Sequence, residues 1–162
     1  MNVVLNRVDE RLIHGQVLVS WAQKLQVRRI LVVDDQLVYD ELTKTVLTMS
    51  VPASIELKLM DVSHAVDYLR TNQDGTLPNT IVLARTPQVF KRLQEGGYQL
   101  TTLNIGGMAA GASRRHLCRG IYASQEEIAI LQEFRRQGVD VYVQIVFAET
   151  PQRIDFQQIA DV

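Results

Sequence analysis

The stretch NVVLNRVDERLIHGQVLVSWAQKL, positions 2–25, decides how this chain is read. It passes from a Val- and Leu-rich run, Asn2–Val8, through a polar loop, Asp9–His14, into a segment where Leu18, Trp21, Ala22 and Leu25 recur at i, i+3, i+4 and i+7. An apolar run this short suits a strand buried on both faces, and the following period places one apolar stripe along a helix. The unit then repeats. Strands are predicted at Arg29–Val33, Ile55–Met60, Thr80–Ala84, Leu100–Ile105 and Tyr142–Phe147. Between them, Val38, Leu42, Val46 and Met49 form a helical stripe ended by Pro52, and Ser63–Arg70 opens on a Ser cap. Pro87 starts a helix through Leu93 that Gly96-Gly97 stop. Ser124 and Glu127 make a capping box for a helix to Gln137, closed by Gly138. A short helix is expected after Pro151.

Alternating strands and helices with short connections predict an α/β fold: an open, mainly parallel sheet with helices on both faces, doubly wound and Rossmann-like, as a single domain over residues 1–162. An α+β arrangement with some antiparallel pairing is the alternative, strongest after Gly106, where a glycine-rich loop replaces a clear helix. In an open α/β sheet the ligand lies beyond the carboxyl ends of the strands. Attention therefore falls on Asp9–His14, Asp34–Gln36, Arg85–Pro87 and Gly106–Gly111.

Composition narrows the partners. Seventeen Lys and Arg against eighteen Asp and Glu leave a net charge of −1, which argues against a nucleic-acid binder. The one cysteine, Cys118, forms no internal disulfide and suits a reducing compartment. No apolar run approaches the ~20 residues of a bilayer span, and no signal peptide is evident, so a soluble intracellular protein is expected.

Within the first loop, His14 sits just before a helix start. The free amide groups there favour an anion and disfavour imidazolium, so a neutral ring keeps a lone pair for attack. Arg11 can supply a planar cation to phosphoryl oxygens, and Asp9 can orient either the ring or Arg11. Those are the parts phosphoryl transfer needs, since the protein contributes mainly position and charge. On the residues alone, a histidine that merely caps the helix serves equally well.

The segment Asp9-Glu10-Arg11-Leu12-Ile13-His14-Gly15-Gln16-Val17 closely resembles the active-site segment of the IIB subunits of the mannose/fructose/sorbose-type phosphotransferase system. Arg29–Val33 ending in Asp34-Asp35, Lys44-Thr45-Val46-Leu47 and Leu103-Asn104-Ile105-Gly106-Gly107-Met108 resemble further segments of that family at matching spacing. The resemblance implies that His14 is phosphorylated on Nδ1 by a IIA partner. It implies that His14 then passes the group to a sugar held by the membrane subunits IIC and IID. Arg11 becomes the phosphate-stabilising cation; Asp9, Gly15, Gln16, Gly106 and Gly107 are expected around the phosphate or substrate, and Arg85 either adds a second positive charge there or is a solvated loop arginine. No metal or cofactor is implied, and the location is the cytoplasmic face of the membrane. For Nδ1 to be the nucleophile some acceptor must hold the Nε2 proton; the sequence does not name it.

Two positions depart from the family pattern. Glu10 stands where many members have a second Asp, and Arg85 where many have an Asn. The basic residue resembles the branch associated with N-acetylgalactosamine or galactosamine uptake. Elsewhere, His64 and His116 are expected on the surface, without metal-ligand spacing. Arg114-Arg115-His116 with Arg119 is either a solvated edge or a dock for an acidic partner. Asp34-Asp35 either caps a helix or shapes the site. Asn104–Gly107 either lets backbone approach the active loop or makes a plain turn. Trp21 belongs to the core or to a homodimer interface, and Cys118 is buried. A phosphoaspartate signalling module is the competing function, since Val32-Val33-Asp34-Asp35 resembles the acidic pair of receiver domains. That pair follows the second strand here, whereas in receivers it follows the first.

Overall fold

The computed structural model describes residues 2–72, 75 and 78–159, with the side chains of Gln16 and Val17 excepted. Six strands form one parallel sheet: β1 (Asn2–Asp9), β2 (Arg29–Val33), β3 (Glu56–Met60), β4 (Asn79–Ala84), β5 (Thr102–Gly107) and a last strand, Asp140–Val143. A separate antiparallel pair, β6 (Arg115–Cys118) and β7 (Ile121–Ala123), makes the last strand β8. The sheet order is β3-β2-β4-β1-β5-β8. β1 thus lies between β4 and β5, and the loop that follows it opens between theirs.

Among the described residues five α-helices cover the sheet: α1 (Gly15–Lys24), α2 (Glu41–Ser50), α3 (Val62–Thr71), α4 (Pro87–Glu95) and α5 (Gln125–Arg136). Strand alternation divides the core in two. Leu5, Ile30, Val32, Ile81 and Leu83 pack with Leu18, Trp21 and Ala22 of α1 and Leu47 of α2. Val8, Leu31, Val33, Val82 and Ile105 pack on the other face with Leu69, Phe90, Leu131 and Phe134 of α3, α4 and α5. This is the doubly wound arrangement expected, and the capping box at Ser124 and the stop at Gly96-Gly97 stand where predicted.

Several local expectations are corrected. The cap of α3 is Asp61, whose carboxylate accepts from the His64 amide at 2.8 Å, and not Ser63. β8 ends at Val143, short of the predicted Phe147, because the chain turns away: Gln144 Nε2 donates to the Phe147 and Glu149 carbonyls. No helix follows Pro151 among the described residues. Instead Gln152 forms an antiparallel bridge with Val143, and Arg153 pairs with Asp140 at 2.7 Å. The loop expected after Gly106 contains the β6–β7 hairpin. Trp21 is buried, its ring edge-on to Phe147 at 5.1 Å, so it presents no dimer surface.

The stripe assigned to α2 points the other way. Val38 is partly buried, but Leu42, Val46 and Met49 are 76, 54 and 81% exposed, and only Leu47 of the helix is buried. Periodicity identifies a face without saying which side of the helix the sheet takes. Here Asp40 caps the helix by accepting from the Thr43 amide, in an orientation that turns Leu47 inward.

Beneath the sheet, the buried Tyr98 hydroxyl donates to Asn6 Oδ1 at 2.8 Å. Burial pushes its phenol up to about 12, against the pull of that hydrogen bond. An unfolded tyrosine ionises near about pH 10, so this contribution to stability is whole below that value and is lost as pH rises through about 12. Denaturant unfolding of Tyr98→Phe should therefore show a shallower loss of stability over that alkaline window than the wild type.

Candidate active site

Strand alternation places Arg7 and Asp9 two residues apart on the α1 face of β1, at its carboxyl end. Asp9 is completely buried, and its carboxylate is the meeting point of the site. Oδ1 accepts from the Arg11 amide at 3.1 Å and from Arg11 Nε at 3.0 Å. Oδ2 accepts from Arg11 Nη2 at 3.1 Å and Arg7 Nη2 at 3.0 Å, and lies 3.0 Å from His14 Nε2. Burial alone would raise this carboxyl. The hydrogen bonds from Arg11 and His14 and the charge of Arg7 outweigh it and hold the group below the usual carboxylate range.

The loop reaches this geometry through a tight turn. The Leu12 amide donates to the Asp9 carbonyl at 3.0 Å, and Leu12 takes φ +56, a left-handed conformation costing about 1–2 kcal/mol outside glycine. Its side chain is buried against the α1 side of the core, which offsets that strain. His14 then stands at the N-cap of α1 without capping it; its ring turns back to Asp9 instead. Since an ionised carboxylate only accepts, a neutral ring must carry its proton on Nε2. Among the described residues Nδ1 has no hydrogen-bond partner, and the side chain is 22% exposed. The acceptor that the sequence left unnamed is therefore Asp9.

Gly106 and Gly107 belong to β5 and not to a turn. A Cβ at Gly106 would overlap the Arg7 guanidinium, and one at Gly107 would overlap the Asp9 carboxylate and crowd Arg11. The glycines admit the buried charges, and the Gly106 carbonyl accepts from Arg11 Nη2 at 3.3 Å. Beside them lies a depression of about 240 Å³ lined by Glu10, Arg11, Met108, Gly120 and Ile145. Gly15 opens α1 with φ +45, and the Gln16 side chain lies outside the described residues.

Arg85 is tied to Asp34, its Nε 2.7 Å from Oδ2, while Asp34 Oδ1 accepts from the amides of Gln36 and Leu37. Asp35 accepts from the Val62 amide at 2.9 Å and pairs with Arg92. The acidic pair thus joins the loop after β2 to α3, α4 and the loop after β4. The basic cluster, on sequence alone either a solvated edge or a partner dock, is engaged internally at Arg114 and Arg119. Arg114 is held by Glu10 and by Glu127, so it fastens the active loop to the start of α5. Arg119 donates to the Thr150 carbonyl at 2.7 Å. His64 is exposed beside Asp61, and His116 meets Tyr122 edge-on with ring centroids 5.2 Å apart. No cluster of His, Cys, Asp and Glu suited to a metal occurs among the described residues.

The residues that sequence analysis missed are Arg7 and its partners Gln144 and Ile145. Arg7 is 1% exposed and donates to Asn104 Oδ1 at 2.6 Å and to the Gln144 and Ile145 carbonyls at 3.1 and 3.0 Å. Trp21 lies under it, and Trp21 Nε1 donates to the same Ile145 carbonyl at 3.3 Å. The available signal was the i, i+2 spacing of Arg7 and Asp9 in an otherwise apolar strand.

The carboxyl end of the central parallel strand thus carries a partly buried histidine backed by a buried carboxylate and two arginines. Comparison with known proteins makes the family definite. The model for the PTS system sorbose subfamily IIB component matches residues 3–160, and the chain belongs to that family. It is 30% identical over 146 residues to a mannose-specific EIIAB component of Escherichia coli K12, covering 90% of this chain and 45% of that one. It therefore spans about half the length of that relative. A fructose-specific EIIB component of Bacillus subtilis is 29% identical, with 98% of this chain and 96% of that one covered. Among solved structures, manxB from Thermoanaerobacter tengcongensis superposes with a TM-score of 0.82 at 32% identity, over 93% of this chain and 90% of that one. No helix among the described residues is long and apolar enough to cross a membrane.

The packing against Gly106 makes a direct prediction. Gly106→Ala must displace a buried guanidinium and should cost about 1–3 kcal/mol or more in denaturant unfolding. Gly138→Ala, at φ +87 but facing open space, should cost only the backbone strain of about 1–2 kcal/mol. Acid stability follows from Asp9 with a definite sign. Because folding depresses this carboxyl, its contribution is present above about pH 4 and lost as pH falls through the folded value. Asp9→Asn should flatten that acid limb in the same assay.

Proposed function

We propose that this protein is a phosphocarrier in which His14 Nδ1 accepts a phosphoryl group from the phosphohistidine of a IIA protein or domain and delivers it to a sugar. The observation that carries it is the 3.0 Å contact of His14 Nε2 with the buried Asp9, which commits the proton to one nitrogen and leaves a lone pair on the other. In the first step Nδ1 forms a bond to phosphorus as the donor's N–P bond breaks, and the donor imidazole leaves with that electron pair. In the second, a sugar hydroxyl, the C6 oxygen by family resemblance, bonds to phosphorus. The N–P electrons return to Nδ1, and the hydroxyl proton passes to solvent.

Arg11 supports the transferring group. Its guanidinium clamps Asp9 through Nε and Nη2, so among the described residues Nη1 is left as the donor that can meet a phosphoryl oxygen. The amides that open α1 add a second positive end, since the His14 side chain does not occupy them. Charge and position of this kind suffice for phosphoryl transfer. A shallow, half-open cradle suits a carrier that must release what it accepts. Gly106 and Gly107 act by letting Arg7 and Asp9 in. Arg85 is engaged by Asp34 at 2.7 Å and is given no part in the transfer.

The acceptor is a sugar presented by membrane subunits of the IIC/IID type, which places the protein at the cytoplasmic face of the membrane. The relatives named for mannose and for fructose match almost equally well, consistent with sugar choice residing in those subunits.

Phosphorylation through a phospho-IIA relay tests the assignment. Wild-type protein should take up one phosphoryl group per chain in an acid-labile, alkali-stable linkage, and His14→Ala should take up none. Uptake that persists in His14→Ala would remove His14 from the mechanism. Arg11→Ala should slow transfer about 10²–10³-fold, the usual loss on removing one preorganised donor. Transfer at the wild-type rate would exclude Arg11.

A further inference from the structure

Arg7 is the charge for which transfer chemistry has no direct use. Its side chain is 1% exposed, so it cannot itself meet a phosphoryl group arriving from solvent. It is nonetheless fixed from every direction: Asn104 Oδ1, two carbonyls from the segment after β8, Asp9 Oδ2 and the Trp21 ring 5.4 Å away. Gly106 has no side chain where the guanidinium sits. A buried arginine with this many acceptors is a built feature, because burying an unpaired charge is strongly unfavourable.

The charges at the site show what Arg7 changes. Asp9 carries −1, Arg7 and Arg11 carry +1 each, and a neutral His14 carries none. With Arg11 as its only counter-ion, Asp9 would cancel the cation meant for the phosphoryl group. Its uncompensated field would also favour imidazolium at His14, which has no lone pair on Nδ1. We infer that Arg7 is a positioning residue, the counter-charge that lets Asp9 hold the Nε2 proton of a neutral His14 while the charge of Arg11 stays available to an anion at Nδ1. The link to transfer rests on the phosphocarrier assignment of His14; the electrostatic claim does not.

The other ionisable groups around this centre are accounted for. Tyr142 of β8 lies near Arg7, and Glu149 is engaged by the Ile145 amide at 3.1 Å. Glu10 is paired with Arg114. From α1 the neighbour of Arg7 is Trp21, which carries no charge.

NMR titration of the His14 ring, on purified protein without any partner, tests the claim through a double-mutant cycle. Arg7→Met should raise the His14 midpoint by about one pH unit, and Asp9→Asn should lower it. Arg7→Met/Asp9→Asn should titrate above Asp9→Asn by the same step, so the Arg7 effect is readable even if one single variant does not fold. Arg7→Lys, which keeps the charge but loses the planar fork, should titrate nearer the wild type than Arg7→Met. In a phosphorylation assay the rising limb of the pH–rate profile should move upward in Arg7→Met by the NMR shift. A midpoint unchanged by Arg7 substitution in both Asp9 backgrounds, or an Arg7→Lys midpoint equal to that of Arg7→Met, would overturn the inference. A His14 that titrates as described but accepts no phosphoryl group would instead overturn the phosphocarrier assignment and leave the role of Arg7 standing.

Discussion

A carboxylate withdrawn from water at the end of the central strand needs donors on every side, and the architecture around Asp9 follows from meeting that need. Removing a carboxylate from solvent is costly unless it is paired and fully hydrogen-bonded. Asp9 receives donors from its own strand, from the succeeding loop and from His14 at the N-cap of α1. Supplying them forces β5 to present glycines at two successive positions and draws the segment after β8 in toward Arg7. The loop itself bends through a left-handed Leu12 to bring Arg11 and His14 back onto one pair of oxygen atoms. Fold and chemistry are thus coupled through a few polar contacts at one end of the sheet.

That coupling explains which features could be read from residues alone. The alternation of short apolar runs with 3.6-period segments is a repeated local signal, and it led directly to the parallel layered sheet. The histidine loop was legible because its residues are contiguous. Arg7 was not, since its partners Asn104, Gln144 and Ile145 lie about a hundred residues or more away in the chain. Nor did spacing reveal the proton acceptor of His14: Asp9 was in view, but its choice between ring and guanidinium depends on the turn at Leu12, and it serves both.

The corrected and the open readings have local physical causes. α2 carries two sets of apolar residues, and the larger one faces solvent while Leu47 alone reaches the core. The reading left open for Arg114, solvated edge or dock, is decided by Glu10, far away in the chain, and by Glu127 at the start of α5, which both pair with it. In each case local composition was read correctly, and the tertiary partner decided the outcome.

The segment that replaced the expected terminal helix has a consequence of its own. A sheet of six parallel strands has two raw margins, and an exposed margin invites another chain to add a strand. Along β8 the antiparallel bridge between Val143 and Gln152 seals part of that margin with the protein's own backbone. At the opposite margin β3 offers Glu56 and Lys58, paired with each other, so a strand approaching there must disturb charged groups. Both ends of the sheet are thereby discouraged from edge-to-edge polymerisation, one by self-complementation and the other by charge.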